Sequence, residues 1–211
     1  MALYDVPATV SYVQHITGRP KGATISIGAF SKLPSLASAI SVFVALAPVT
    51  YTAHQGSKLM SLLAAMHVDL IYKILGDGIF TPTPGMLQML LPLECRIAPS
   101  LCDDLLGSLF GHGTPVHYNA SHIDVYLEHF PAETSTQNFV HWIKNVRSGE
   151  FITYDGVPYQ PQRIACPTYV FYGTQDYLAD PQDVATLTAA LRASGNYLGS
   201  TSLEGYAHMG S

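Results

Sequence analysis

The apolar residues of this chain recur with two different spacings, one typical of helices and one typical of buried strands. Near the amino end, apolar positions at helical spacing within 6–16 predict one helix, and a second helix is predicted over 22–32. A continuous apolar run over 40–47 is closed by Pro48, which predicts a buried parallel strand. The start of the chain therefore predicts helices that lead into one strand of a sheet.

From about residue 50 to residue 154 the pattern changes to apolar helical stretches that are separated by Gly and Pro. Three such stretches are 59–75, 85–93 and 101–110. We interpret 50–154 as a helical cap inserted into the core of the domain. The apolar stripe over 59–75 is typical of a cap helix packing on a sheet, and contact with a lipid surface is the alternative interpretation.

After the cap, a strand, a helix and a strand follow in order. The run 166–173 predicts a second buried strand, 181–191 predicts a helix, and 196–203 predicts a last strand. This alternation is the pattern of an α/β fold with a mostly parallel sheet flanked by helices. The core is therefore predicted to comprise 1–49 and 155–211.

Two residues with catalytic chemistry follow the last two predicted strands. Asp176 lies three residues after Gly173, and His208 comes shortly after the end of the last strand. Because the carboxyl ends of parallel strands meet at one edge of a sheet, we expect these two side chains to lie close together. An Asp after one strand and a His after the next is the order that α/β-hydrolases use.

Composition narrows the classes of function. Hydrophobic residues make up 48% of the 211 residues, the formal net charge is -5, and Lys and Arg do not cluster, which argues against a nucleic-acid partner. Each apolar run is shorter than the ~20 residues that span a bilayer, so no transmembrane helix is predicted. Met1 is followed by neither a basic nor a long apolar region, so we expect no secretory signal and a cytoplasmic form of this chain. No cofactor and no metal site are predicted.

The residues around Asp176 resemble the signature of a known family. Residues 172–184 read YGTQDYLADPQDV, which is similar to the GGxDxLADPxDV block of the gastric and lysosomal acid lipases. The similarity continues in YDVPA at 4–8, ALAPV at 45–49 and the cap stretch 119–138. The resemblance covers almost the whole chain and implies a partial α/β-hydrolase fold.

The resemblance implies that Asp176 is the acid and His208 the base of a Ser-Asp-His triad. It also implies a neutral lipid ester as the substrate, either a triacylglycerol or a sterol ester, and a secreted or lysosomal location. Asp180 and Asp183 match other positions of the same block, and we interpret them as the cap and first turn of the following helix.

Two features are typical of proteins outside the cytoplasm. Asn119 begins a glycosylation sequon that coincides with a family sequon, and Cys95 and Cys102 fall near the family's cap disulfide, although their spacing is shorter. From the residues alone, a chance sequon and two reduced thiols remain alternatives. Cys166 precedes an apolar run and is predicted to be a core thiol.

The nucleophile of such a triad is the serine of a G-x-S-x-G turn between a strand and a helix. No G-x-S-x-G occurs in the 211 residues. Lys21 runs directly into Gly22, which matches the last glycine of the turn, so the strand and serine that precede it in the family are missing. Ser26 lies within the helix that follows and is no substitute. The loop that supplies an oxyanion-hole amide and the family's last helix are also expected to be missing.

Three hypotheses follow from these observations. The chain is an inactive, internally deleted form of a serine lipid-ester hydrolase, or a non-catalytic protein that binds lipid or a partner, or the non-functional product of an alternative transcript or a faulty gene model. Loss of a central strand leaves sheet edges unpaired, so we expect the chain to fold poorly.

Overall fold

The computed structural model describes residues 4–9, 24–67, 78–80, 99–113 and 134–210. Residues 5–9, at the start of the first predicted helix, are helical. The helices that follow in these ranges are α1 (Thr24–Lys32), α2 (Pro34–Ser38), α3 (Lys58–Ala65), α4 (Pro99–Phe110), α5 (Thr136–Ser148) and α6 (Pro181–Ala193). The strands are β1 (Phe43–Leu46), β2 (Ile79–Phe80), β3 (Thr134–Ser135), β4 (Thr168–Gly173) and β5 (Tyr197–Leu203). Short 3-10 helices occupy Pro161–Arg163 and His208–Gly210. Among the described residues we find no helix that combines the length and the hydropathy of a membrane span. The stretch 85–93, predicted to be helical, lies outside the described residues.

Strands β1, β4 and β5 form one parallel sheet in that order. Ala45 pairs with Val170, and β4 continues beside β5 up to the pair Gly173 and Leu203. The three predicted strands and the helix between the last two are therefore confirmed. The loops that follow β4 and β5 leave the sheet at the same edge, which is where the two candidate catalytic residues occur.

The hydrophobic core lies between this sheet and the helices α1, α2 and α6. Phe30 of α1 meets Phe43 of β1 edge to face, with ring centroids 5.3 Å apart. Cys166 is fully buried in this core and burial raises the pKa of its thiol, which confirms the predicted core cysteine. Helix α6 contributes the following buried apolar side chains: Val184, Leu187 and Leu191.

The start of α6 follows from its sequence. The Asp180 carboxylate caps the helix by accepting a hydrogen bond of 2.8 Å from the backbone N–H of Gln182. Pro181 occupies the first helical position, where its missing N–H leaves no intrahelical bond unmade. The predicted cap is therefore confirmed, and the helix begins immediately after the loop that carries Asp176.

Strand β1 differs from its prediction as a fully buried strand. Phe43 and Ala45 are buried, but Val44 is 45% exposed and Leu46 is 53% exposed. Within the described residues β1 is an edge strand, and the core helices contact the face that carries Phe43 and Ala45. A continuous apolar run predicts burial on both faces only when both faces are covered.

The helices of the predicted cap pack on one another. Helix α3 contacts both α4 and α5, and the Arg147 side chain of α5 donates to the carbonyl of Ala64 in α3 at 3.3 Å. Ser135 caps α5 by accepting from the backbone N–H of Asn138, and Gly149 ends it in a left-handed conformation with φ of 71°. The boundaries 50 and 154 of the cap stay a prediction.

Candidate active site

Backbone hydrogen bonds join the loop that follows β4 to the loop that follows β5. The N–H of Thr174 donates to the carbonyl of Leu203 at 3.1 Å, and the N–H of Gln175 donates to the carbonyl of Tyr206 at 2.9 Å. The hydroxyl of Thr174 also accepts from the N–H of Gly205 at 3.0 Å. These bonds fix the two loops relative to one another beyond the ends of the strands.

The Asp176 carboxylate is fully buried between these loops and uses both of its oxygens. Oδ1 accepts from the backbone N–H groups of Leu178 and Ala179, each at 2.8 Å. Oδ2 lies 2.9 Å from Nδ1 of His208, whose side chain is 24% exposed. A buried carboxylate is stable only when such donors replace water. The structure thus brings the two predicted residues together.

The geometry determines which nitrogen of His208 carries the proton when the ring is neutral. An ionised carboxylate only accepts hydrogen bonds, so Nδ1 of His208 is the donor to Asp176. Nε2 is then the unprotonated, basic nitrogen. Among the described residues, Asp176 is the hydrogen-bond partner of this imidazole. An imidazole held in this tautomer by a buried carboxylate is the arrangement of a general base and its orienting acid.

The end of helix α4 completes the surroundings of the pair. The Phe110 ring stacks on the His208 ring with centroids 6.2 Å apart, and the Phe110 carbonyl accepts from the N–H of Tyr177 at 3.2 Å. Gly111 has φ of 101°, and a Cβ there would overlap the carbonyl oxygen of Gln175. The close approach therefore requires glycine. Through this approach the end of α4 packs against the loop that carries Asp176.

A second Asp–His pair occurs nearby and was not predicted from the sequence. Nδ1 of His54, in the loop after β1, lies 2.8 Å from Oδ1 of Asp183 in the first turn of α6. The hydrogen bond that the imidazole donates to the Asp183 carboxylate raises the pKa of His54 above its ordinary value, against a smaller desolvation effect. The sequence places Asp183 in the first turn of α6, but it contains no pattern that identifies His54 as the partner of this carboxylate.

The other predicted site residues are placed as follows. Ser26 is buried on helix α1, and its hydroxyl is not hydrogen-bonded to His208. Asn119 and Cys95 lie outside the described residues. Of the two cysteines within them, Cys102 and Cys166, only Cys166 is a free thiol. No group of three His, Cys, Asp or Glu side chains in the described ranges is arranged to hold a metal ion.

A cavity of about 710 Å³ lies between α1, α5 and the loop 151–159, and neither Asp176 nor His208 lines it. The Thr50 side chain lines it and is buried, and its hydroxyl has no hydrogen-bond partner among the described residues. The cavity is also lined by five aromatic side chains: Tyr4, Trp142, Phe151, Tyr154 and Tyr159. This cavity is thus separate from the acid–base pair.

Comparison with known proteins finds relatives among the lipases. Human gastric triacylglycerol lipase is 37% identical over 216 residues, covering 90% of this chain and 54% of the lipase. Human lysosomal acid lipase/cholesteryl ester hydrolase is 34% identical over 212 residues, covering 89% of this chain and 53% of that enzyme. The chain therefore spans about half the length of the curated relatives it matches. No profile of a protein family matches the sequence.

Two solved structures show the same fold at low sequence identity. The monoacylglycerol lipase of Paleococcus ferrophilus aligns with a TM-score of 0.52 at 15% identity, over 97% of this chain and 67% of the other. BpoC of Mycobacterium tuberculosis aligns with a TM-score of 0.51 at 14% identity, over 100% of this chain and 68% of the other.

The parallel sheet, its flanking helices and these structural neighbours define a partial α/β-hydrolase fold. Within that fold class, the sequence matches establish a relationship to the acid lipase family. The family relationship that the sequence predicts is thereby confirmed.

We predict that Asp176→Asn loosens the loop that holds this carboxylate. A charge-assisted hydrogen bond is stronger than a neutral one by about 1 to 1.5 kcal/mol, so the Leu178 and Ala179 amides should exchange with solvent about 10-fold faster. Amide exchange measured by NMR or mass spectrometry tests this. Asp180→Asn is the matched control, because Asn caps a helix as well as Asp does and should leave both amides unchanged. Equal exchange in the Asp176 variant and the parent chain would contradict the prediction.

Proposed function

We propose that this chain carries the acid and base of a serine hydrolase that acts on neutral lipid esters, and that it does not turn over esters by itself. The observation that supports the proposal most directly is the 2.9 Å hydrogen bond between His208 and the buried Asp176 at the carboxyl edge of the sheet. The names of the relatives, a triacylglycerol lipase and a cholesteryl ester hydrolase, support the class of substrate.

In a complete triad the two residues have defined roles. The serine oxygen attacks the ester carbonyl carbon while Nε2 of His208 takes the serine proton. His208 then gives that proton to the departing alcohol, and water releases the acyl group from the serine by the same exchange. Asp176 stays ionised throughout, holds the imidazole in its tautomer and stabilises the transient imidazolium.

The proposed lack of turnover rests on the missing nucleophile. The sequence contains no G-x-S-x-G turn, and no described serine is hydrogen-bonded to His208. Loss of one oxyanion donor lowers the rate by roughly 10²–10³, and loss of the nucleophile lowers it by about 10⁶. A proton acceptor without the hydroxyl that it should activate has nothing to deprotonate.

Further properties are proposed from the same relationship. They are a secreted or lysosomal location, glycosylation of Asn119, and a disulfide between Cys95 and Cys102. Contact of the cap with a lipid surface belongs to the same set. A non-functional transcript or gene-model product remains the third hypothesis, and sequencing the transcript and the genomic DNA around the codons of Lys21 and Gly22 distinguishes it.

We predict no esterase activity for the purified chain on p-nitrophenyl butyrate or on a triacylglycerol emulsion. The assay should give the rate of the buffer alone, and His208→Ala should give the same rate. Turnover that a serine-directed phosphonate abolishes would contradict the proposal, because it would require an activated serine elsewhere in the chain.

The separate cavity favours a second candidate function, the binding of a lipid without catalysis. A volume of about 710 Å³ with aromatic walls suits the apolar part of an amphiphile. The aromatic side chains of the wall, rather than a polar anchor, would supply the contacts with such a ligand. This function needs no nucleophile.

The single tryptophan of the chain, Trp142, lines this cavity and reports its occupancy. We predict that a non-hydrolysable glycerol monoether of a long-chain alcohol changes Trp142 fluorescence saturably. Tyr154→Ala, which removes one aromatic side chain from the cavity wall, should weaken the binding by about 10-fold. Thr186→Val, on the exposed side of α6, is the control and should leave the binding unchanged. A linear, non-saturating response, or equal affinities in all three proteins, would exclude this candidate function.

A further inference from the structure

The loop between β1 and α3 is hydrogen-bonded to the segment that follows Asp176. His54, in this loop, approaches Asp183 with two groups: its backbone N–H donates to Oδ2 at 2.9 Å, and its Nδ1 lies 2.8 Å from Oδ1. The Asp183 side chain is 3% exposed, so this carboxylate is satisfied by protein donors rather than by water. His54 alone thus makes a hydrogen bond to each carboxylate oxygen of Asp183, which is 129 positions away in the sequence.

A second contact lies two residues further along the same loop. The N–H of Gly56 donates to the carbonyl of Tyr177 at 2.7 Å. A Cβ at Gly56 would lie 3.0 Å from the ring of Tyr177, which is closer than side-chain carbons normally approach. The loop therefore lies directly on the backbone next to Asp176, and a larger residue at position 56 would require the Tyr177 side chain to shift by a few tenths of an ångström.

The two contacts fall on both sides of the donors that hold Asp176. Tyr177 precedes Leu178 and Ala179, and Asp183 follows them in the first turn of α6. A segment fixed at both ends has less freedom to move its N–H groups away from the carboxylate between them. The residues just before this segment are held by the loop after β5, because the Thr174 hydroxyl accepts a hydrogen bond from the N–H of Gly205.

We propose that His54 is a positioning residue, which holds the segment 177–183 so that the N–H groups of Leu178 and Ala179 keep Asp176 aimed at His208. This inference rests on the proposed function, since it concerns the same acid–base pair. It assigns to His54 no contact with a substrate or with reacting atoms. The pair of His54 and Asp183 acts on the candidate base through the backbone of the loop.

The charge of His54 gives this contact a dependence on pH. The groups that act on the imidazole are the carboxylates of Asp183 and, more weakly, Asp180, and they raise its pKa above the ordinary value while partial desolvation opposes them. A raised folded pKa stabilises the fold fully below the ordinary pKa of about 6.5, and that stabilisation is lost as the pH rises through the folded value. The segment should therefore be held more tightly in acidic solution.

The test compares His54→Ala with His54→Asn in the full chain. Alanine removes the side-chain donor, so the Leu178 and Ala179 amides should exchange about 3- to 10-fold faster, and the His208 Nδ1 proton resonance should broaden. Asparagine places an N–H near the former Nδ1 without a titratable charge. It should restore protection at all pH values and abolish the rise in protection that the parent chain shows towards acidic pH.

The control and the contradicting results are as follows. His141 makes a comparable hydrogen bond of 2.7 Å to the carbonyl of Ile152, away from the pair, so His141→Ala should leave both amides and the His208 signal unchanged. Unchanged signals in His54→Ala, or equal losses in His54→Ala and His141→Ala, would overturn the inference. Amide exchange does not depend on turnover, so esterase activity of the chain would contradict the proposed function alone.

Discussion

The burial of one carboxylate organises the candidate site. Asp176 has no contact with water, and an unpaired charge in such a position would cost several kcal/mol. Three donors prevent that cost, two from the backbone of its own loop and one from His208. Those donors lie in position only if the loops after β4 and β5 are joined and if α4 approaches the loop closely, which explains the glycine at position 111.

The sequence predicted those features of the site that depend on residues close together in the chain or on the order of the strands. Asp180 and Pro181 define the start of α6, and the placement of Asp176 and His208 after parallel strands predicts that they meet. The contact of His54 with Asp183 joins residues 129 positions apart, and no local pattern encodes such a pairing. The exposure of Val44 on β1 was also missed, because an apolar run does not reveal which sheet face is left uncovered.

The site and the cavity lead to two different views of the same chain. In the acid–base pair, each oxygen of Asp176 accepts at least one hydrogen bond, and the contact with Oδ2 favours the Nδ1–H tautomer of His208. The sequence contains no G-x-S-x-G turn, and the chain spans about half of each matched relative. The cavity around Trp142 lies apart from the pair and requires no chemistry. A protein that only binds lipid does not need the acid–base pair. The presence of the pair therefore favours the proposal of an incomplete hydrolase.

The assignment of Asp176 and His208 as an acid–base pair depends most directly on the tautomer of the His208 ring. Nitrogen-15 NMR of the labelled chain measures which ring nitrogen carries the proton in the neutral imidazole. We predict the Nδ1–H tautomer, with that proton in a hydrogen bond to Asp176 and with Nε2 unprotonated. A neutral His208 that carries its proton on Nε2, or that exchanges freely between the two tautomers, would contradict the assignment of an acid–base pair.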